Sequence, residues 1–156
     1  MGGKMSLVVY GEPVAQGRPR FKSARGGFPV VYDPTKSRDY KDYIKLAAAQ
    51  QLQGQAPFKG ELALSVRVYR PLIKMSKKNI ALAESGDLQP ITKPDLDNYV
   101  KAVKDALKGI CWLDDSQVVS YKEPFGKYYS SKPRVEVDVM SKDYIDPDDI
   151  KIGGTD

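Results

Sequence analysis

Glu61-Leu62-Ala63-Leu64-Ser65-Val66-Arg67-Val68-Tyr69 alternates large apolar residues with small or polar ones. Side chains along a strand point to opposite faces in turn, so Leu62, Leu64, Val66 and Val68 share one face while Ala63, Ser65 and Arg67 share the other. The stretch predicts a half-buried strand, which needs neighbouring strands and a layer over its apolar face. Towards the N-terminus, Asp33-Pro34 reads as a helix start, because Asp caps and Pro lacks only an N–H that would be unpaired there. That helix is expected to reach about Leu52, with Tyr40, Ile44, Ala47 and Gln51 on helical spacing and Gly54 just past its end. Ser6–Tyr10 is a β-branched and aromatic run closed by Gly11 and Pro13, hence a strand. Arg18-Pro19-Arg20-Phe21-Lys22 and Pro29-Val30-Val31-Tyr32 flank Gly26-Gly27, which predicts a hairpin with a basic arm. Residues 1–5 are read as an added or untied start, outside a single domain spanning 6–142.

Towards the C-terminus, residues 71–93 carry Lys74, Lys77, Lys78 and Lys93 and are expected to form a mobile basic connection, with a short helical stretch near Lys77–Glu84. A second long helix is predicted over about Asp97–Lys108, where Leu96, Val100, Val103 and Leu107 make an apolar stripe and Gly109 ends it. Gln117–Lys122 and Arg134–Met140 read as two more strands, with Tyr128-Tyr129 in a loop between them. Residues 143–156 hold five Asp against one Lys and read as a solvated acidic tail.

Composition narrows the chemistry. The chain of 156 residues has one cysteine, Cys111, and no histidine. An internal disulfide, a cysteine-rich zinc site and any histidine-based catalytic triad are excluded. Together with the absence of a signal-peptide pattern or a long apolar run, this points to a cytoplasmic protein with no membrane contact. Residues 1–93 hold 16 Lys+Arg against 7 Asp+Glu, whereas residues 94–156 hold 9 against 13. Such segregation suggests a basic surface for a polyanion and a separate acidic cluster.

The acidic half contains Lys93-Pro94-Asp95-Leu96-Asp97-Asn98-Tyr99-Val100-Lys101 and then Trp112-Leu113-Asp114-Asp115. Pro94 disfavours helix before it. If Asp95 is still extended, Asp95 and Asp97 project to one side, and a helix starting near Asp97 stacks Lys101 above it. Asp114-Asp115 follows where the chain leaves the helix for the next strand. Three carboxylates within about 5 Å would repel pairwise by roughly 3 kcal/mol at an effective dielectric near 20, so a cation or raised pKa values must offset them. Oxygen donors alone select Mg²⁺ or Mn²⁺. Each piece also has a plainer explanation: Asp caps helices, Asp97 and Lys101 are spaced as an ordinary surface pair, and Asp-Asp is common in turns.

The combination resembles the RusA-type Holliday junction resolvases. Lys-Pro-Asp-Leu-Asp-Asn-(x2)-Lys, an amphipathic helix and Trp-Leu-Asp-Asp-(x)-Gln-Val are similar to that family's signature. Gly17-Arg18-Pro19-Arg20-Phe21 and Tyr32-Asp33-Pro34 also resemble members from phages and prophages. The likeness covers roughly residues 6–140. It implies a Mg²⁺-dependent homodimeric endonuclease acting on four-way DNA junctions in recombination, repair or phage DNA processing. It further implies metal ligands at Asp95, Asp97 and Asp115, a less certain one at Asp114, and a catalytic Lys101. The expected architecture is α+β, a mixed sheet of about four to five strands with two main helices packed on it. Arg18, Arg20, Lys22, Lys74, Lys77, Lys78 and Lys93 are the expected DNA contacts. Two other readings stay open: a nucleic-acid-binding module without catalysis, and an Asp-x-Asp, Mn²⁺-dependent nucleotide-sugar or phosphate-transfer enzyme.

Overall fold

The computed structural model describes residues 3–17, 20–23, 29–32 and 35–142, and of 20–23 and 29–32 the backbone alone. The expected cap at Asp33-Pro34, the side chains of Arg18, Arg20 and Lys22, and the acidic tail lie outside the described residues. The predicted strand at the centre of the sequence is the centre of the sheet. It runs as β4 (Leu62–Pro71) and pairs antiparallel with β7 (Arg134–Ser141), which pairs antiparallel with β1 (Lys4–Tyr10). On its other side β4 takes two parallel partners in succession, β5 (Val118–Tyr121) near its start and β6 (Gly126–Ser130) near its end. The result is a five-stranded mixed sheet, with β2 (Arg20–Ser23) and β3 (Pro29–Tyr32) forming a separate antiparallel pair. The architecture is α+β, as expected.

Helices α1 (Thr35–Leu52) and α3 (Leu96–Leu107) cover one face of this sheet, packing on each other and respectively on β1 and β4. Tyr40, Ile44, Ala48 and Leu52 form the buried stripe of α1 with Ala47 packed beside it, and Leu52 takes the place expected for Gln51. Gln51 instead has its own task. Its amide donates to the Val8 carbonyl and accepts from the Val8 N–H, at 2.7 and 2.9 Å, satisfying part of the outer edge of β1. The core between the layers holds Leu62, Leu64, Val66, Val68, Val103, Leu107 and a fully buried Trp112. Cys111 lies beside Trp112 in this core, and burial pushes its thiol pKa up to about 11.

The short helical stretch expected near Lys77–Glu84 is present as helix α2 (Lys77–Ser85): Ser76 accepts from the Asn79 N–H, and Gly86 closes it in a left-handed conformation. Three expectations are corrected. Strand β1 begins at Lys4 rather than Ser6, and Met5 is 3% exposed against the core, so Lys4 and Met5 belong to the sheet. The segment around Tyr128-Tyr129 is strand β6, whose partner lies some sixty residues away in sequence. Residues 115–117 form a single 3-10 turn before β5, so that strand starts at Val118 rather than Gln117.

The other face of the sheet is polar. Arg67 donates to Asp138 at 3.0 Å, to Glu136 at 3.3 Å and to Ser65 at 2.7 Å, while Arg134 donates to Glu136 at 2.7 Å. Arg134 also lies 3.9 Å over the Tyr69 ring. A network joining several strands in this way gives each charge a partner where solvent is restricted.

Candidate active site

Helix α3 begins where its sequence stops resisting it. Asp95 is extended (φ −68°, ψ 151°) and takes the N-cap position, yet its carboxylate accepts no capping hydrogen bond. Asp97 lies in the first helical turn and Lys101 one turn on, with no ion pair between them. Neither a side-chain cap from Asp95 nor an Asp97–Lys101 ion pair is formed, while Asp97 keeps a favourable place in the first turn of the helix.

The approach to the helix is held from the sheet. Lys127 on β6 donates to the Thr92 and Pro94 carbonyls, both at 3.1 Å, and Arg70 on β4 donates to the Thr92 carbonyl at 2.9 Å. Two cations from adjacent strands thus clamp the residues immediately before Asp95.

The Trp112–Gln117 segment separates the two neighbouring aspartates. Asp114 is exposed and accepts from the Ser116 N–H at 2.9 Å, which holds its pKa below the usual carboxylate range. Gln117 accepts from the Leu113 and Asp114 N–H groups, at 2.8 and 2.9 Å, and donates to the Phe58 and Gly60 carbonyls. Asp114 and Gln117 therefore shape the turn. Asp115 points elsewhere: its Oδ1 accepts from the buried Trp112 indole N–H at 2.8 Å. One carboxylate oxygen is tied to the core through the indole.

These parts meet in a cleft of about 320 Å³ lined by Asp97, Val100, Lys101, Lys104, Asp105, Asp115, Tyr121 and Phe125. Of the expected site residues it brings together Asp97, Lys101 and Asp115, which are 18 residues apart in sequence at the extremes. Asp95 and Asp114 do not line it. Among the described residues no three Asp, Glu, Cys or His side chains stand close enough to hold a metal ion by themselves. Two hard carboxylates with room for solvent nevertheless suit Mg²⁺, which commonly uses one or two carboxylates and completes its shell with water and substrate phosphate.

A second groove adjoins the first through Asp105 and Asp115 and is edged by Arg38, Lys41, Lys45 and Lys108. Lys41 approaches Asp105 at 3.8 Å. Sequence reading did not single out these cations, nor Lys104 and Asp105; the helical spacing of Arg38, Lys41 and Lys45 was the available signal. The expected DNA contacts Lys74, Lys77, Lys78 and Lys93 are exposed but line neither groove. A further cleft of about 350 Å³ is lined by Glu12, Gln16, Lys36, Arg70 and Asn98 and contains none of the expected carboxylates.

Among known proteins, the family model described as Endodeoxyribonuclease RusA matches residues 10–140. A relative from Bacillus subtilis (strain 168), named "Uncharacterized protein YqaN", is 50% identical over 136 residues, covering 85% of this chain and 93% of the relative. No helix among the described residues is long and apolar enough to cross a membrane.

Proposed function

The chain belongs to the RusA endodeoxyribonuclease family, and from that premise we propose that it is a Mg²⁺-dependent, structure-specific endonuclease that resolves four-way and other branched DNA by paired nicks. The observation that carries the reading is the cleft shared by Asp97, Lys101 and Asp115. Asp97 and Asp115 would hold the ion, water and substrate phosphate oxygens would complete its shell, and Mn²⁺ could replace Mg²⁺; Asp95, the third ligand that the resemblance implies, would have to swing in from the helix cap to join them. The chemistry such an ion supplies when bound is polarisation of the scissile phosphodiester and a lower pKa for the attacking water. Lys101 offers a fixed positive charge to the phosphate oxygens as negative charge grows on them in the transition state. Trp112 keeps Asp115 oriented by its indole hydrogen bond, and the Lys127 and Arg70 contacts hold the segment that leads into Asp95 and Asp97.

The basic groove of Arg38, Lys41, Lys45 and Lys108 supports a path for one DNA strand towards Asp115. Arg18, Arg20 and Lys22, and the exposed Lys74, Lys77, Lys78 and Lys93, would supply further phosphate contacts. A symmetric pair of nicks needs two copies of the cleft, and a two-fold homodimer supplies them.

Incubating a labelled synthetic four-way junction with the protein tests the proposal. Cleavage is expected in Mg²⁺ or Mn²⁺ and not in EDTA. Asp97→Asn is expected to bind the junction at least as well as the parent, because a negative charge facing phosphate is removed, while cleavage collapses. Undiminished cleavage in chelator would refute the metal, and near-normal cutting by Asp97→Asn would reduce that residue to a helix-start carboxylate.

A further inference from the structure

Part of the lining of the candidate active cleft is not built for phosphate. Besides Asp97, Lys101 and Asp115 it includes Val100 and two aromatic side chains, Tyr121 and Phe125. Their ring centroids are 4.6 Å apart and the ring planes meet at 33°. Phe125 is part-buried and packs on the core, whereas Tyr121 is 52% exposed. Lys104 stands 5.9 Å from the Tyr121 ring centre, within reach of a cation–π contact.

The backbone places this ring deliberately. Val118 of β5 pairs with Leu62, but the next pairs are Ser120 with Ala63 and Tyr121 with Leu64. One residue, Val119, is skipped. A regular strand would set Ser120 opposite Leu64; the irregularity sets Tyr121 there, on the sheet face that carries α3. An aromatic ring that is half exposed, packed on Phe125 and lining one cleft with carboxylates and lysines has phosphate-binding chemistry beside it. That is the two-ended chemistry of a nucleotide.

We propose that Tyr121, backed by Phe125, is a stacking platform for an unpaired nucleobase adjoining the scissile phosphate. The inference rests on the nuclease function proposed above and adds how that site selects its substrate. Bases in intact duplex are already stacked on their neighbours, while bases at a branch point are available, so a platform here favours branched DNA without reading sequence. Base–aromatic stacking is sequence-tolerant because every base presents a π-face.

The test uses full-length protein carrying Asp97→Asn to prevent cutting, and a four-way junction with 2-aminopurine in the nucleotide next to the mapped cleavage position. Binding is expected to quench the 2-aminopurine emission. Tyr121→Leu and Tyr121→Thr, two non-aromatic changes on an exposed strand position, are expected to abolish the quench and weaken junction affinity by roughly tenfold. Their affinity for linear duplex is expected to stay as in the parent, and Tyr121→Phe is expected to restore the quench. Full quenching and parental junction affinity in both non-aromatic variants would overturn the platform and leave the nuclease function standing. A change in oligomeric mass in those variants would assign the ring to a subunit interface and overturn it equally. A parent protein that neither prefers junctions nor cuts them would instead refute the underlying function.

Discussion

Trp112 joins the interior to the chemistry in a single side chain. Its ring is fully buried and its indole N–H reaches Asp115 at 2.8 Å, so the position of that carboxylate depends on core packing. Lys127 does the same job for the other side of the cleft, through the Thr92 and Pro94 carbonyls. Lys127→Met keeps the alkyl stem and loses the donors. It is expected to cost about 1 kcal/mol of stability, the worth of an ordinary hydrogen bond. Cleavage rate is expected to fall by roughly ten- to a hundredfold through misplacement of the reacting groups, with junction affinity little changed and Lys127→Arg restoring part of the rate. Rate and affinity falling together would mark Lys127 as a plain DNA contact. At this scale the sequence exposes residues whose role is written in local spacing. Asp97 and Lys101 are one helical turn apart, and Asp115 follows the same helix within a few residues of its end. It does not expose Lys127, Tyr121 or Asp105, because their relation to the cleft depends on strand pairing and on α1–α3 packing. The Asp114-Asp115 pair is ambiguous in sequence because both residues suit a turn; hydrogen bonds separate them, one shaping the turn and one facing the cleft.

Elements whose pattern is periodic and whose partners are near are the legible ones. The central strand reads from its alternation and α3 from its stripe of Val100, Val103 and Leu107. Strand β6 escapes because Gly126–Ser130 has no alternation and finds its hydrogen bonds only by lying parallel to β4. Helix α2 shows a different conflict. Lys77 and Lys78 occupy its first turn with no acidic residue beside them, where the helix dipole favours negative charge. Charge placed against the dipole suggests a demand from outside the helix, and polyanion binding is the demand proposed here. Replacing both by Glu is expected to leave the melting temperature unchanged or raise it slightly, while weakening junction binding. The salt dependence of that binding is expected to flatten by about one unit for each phosphate no longer neutralised. Unchanged affinity and salt slope would remove α2 from the DNA path. The basic stripe of α1, nearer to Asp115, would then carry the contacts.

For the whole molecule, the question of assembly is narrowed by what the fold uses up. The apolar face of α3 is an obvious dimer surface in sequence, but Val100 and Val103 are 4% and 1% exposed in the core of their own chain. Strand β7 is another, yet it lies between β1 and β4 with both edges paired. Strands β1, β5 and β6 each have one neighbour among the described strands; Gln51 satisfies part of the β1 edge, and β5 presents the half-exposed Val119. Edge-to-edge pairing there runs in the plane of the sheet and leaves the Tyr121 ring on the α3 face. Light scattering at micromolar concentration is expected to give about twice the chain mass, and Val119→Lys is expected to shift the protein towards the monomer. A dimer indifferent to Val119→Lys would place the interface elsewhere. The most direct test of the central claim is nucleotide-resolution mapping of the cuts made in Mg²⁺ on a four-way junction labelled in turn on each strand. Nicks are expected at symmetric positions in two opposing strands, lost together in Asp97→Asn and absent from linear duplex. Cuts scattered over one strand, or made equally in linear duplex, would contradict the claim.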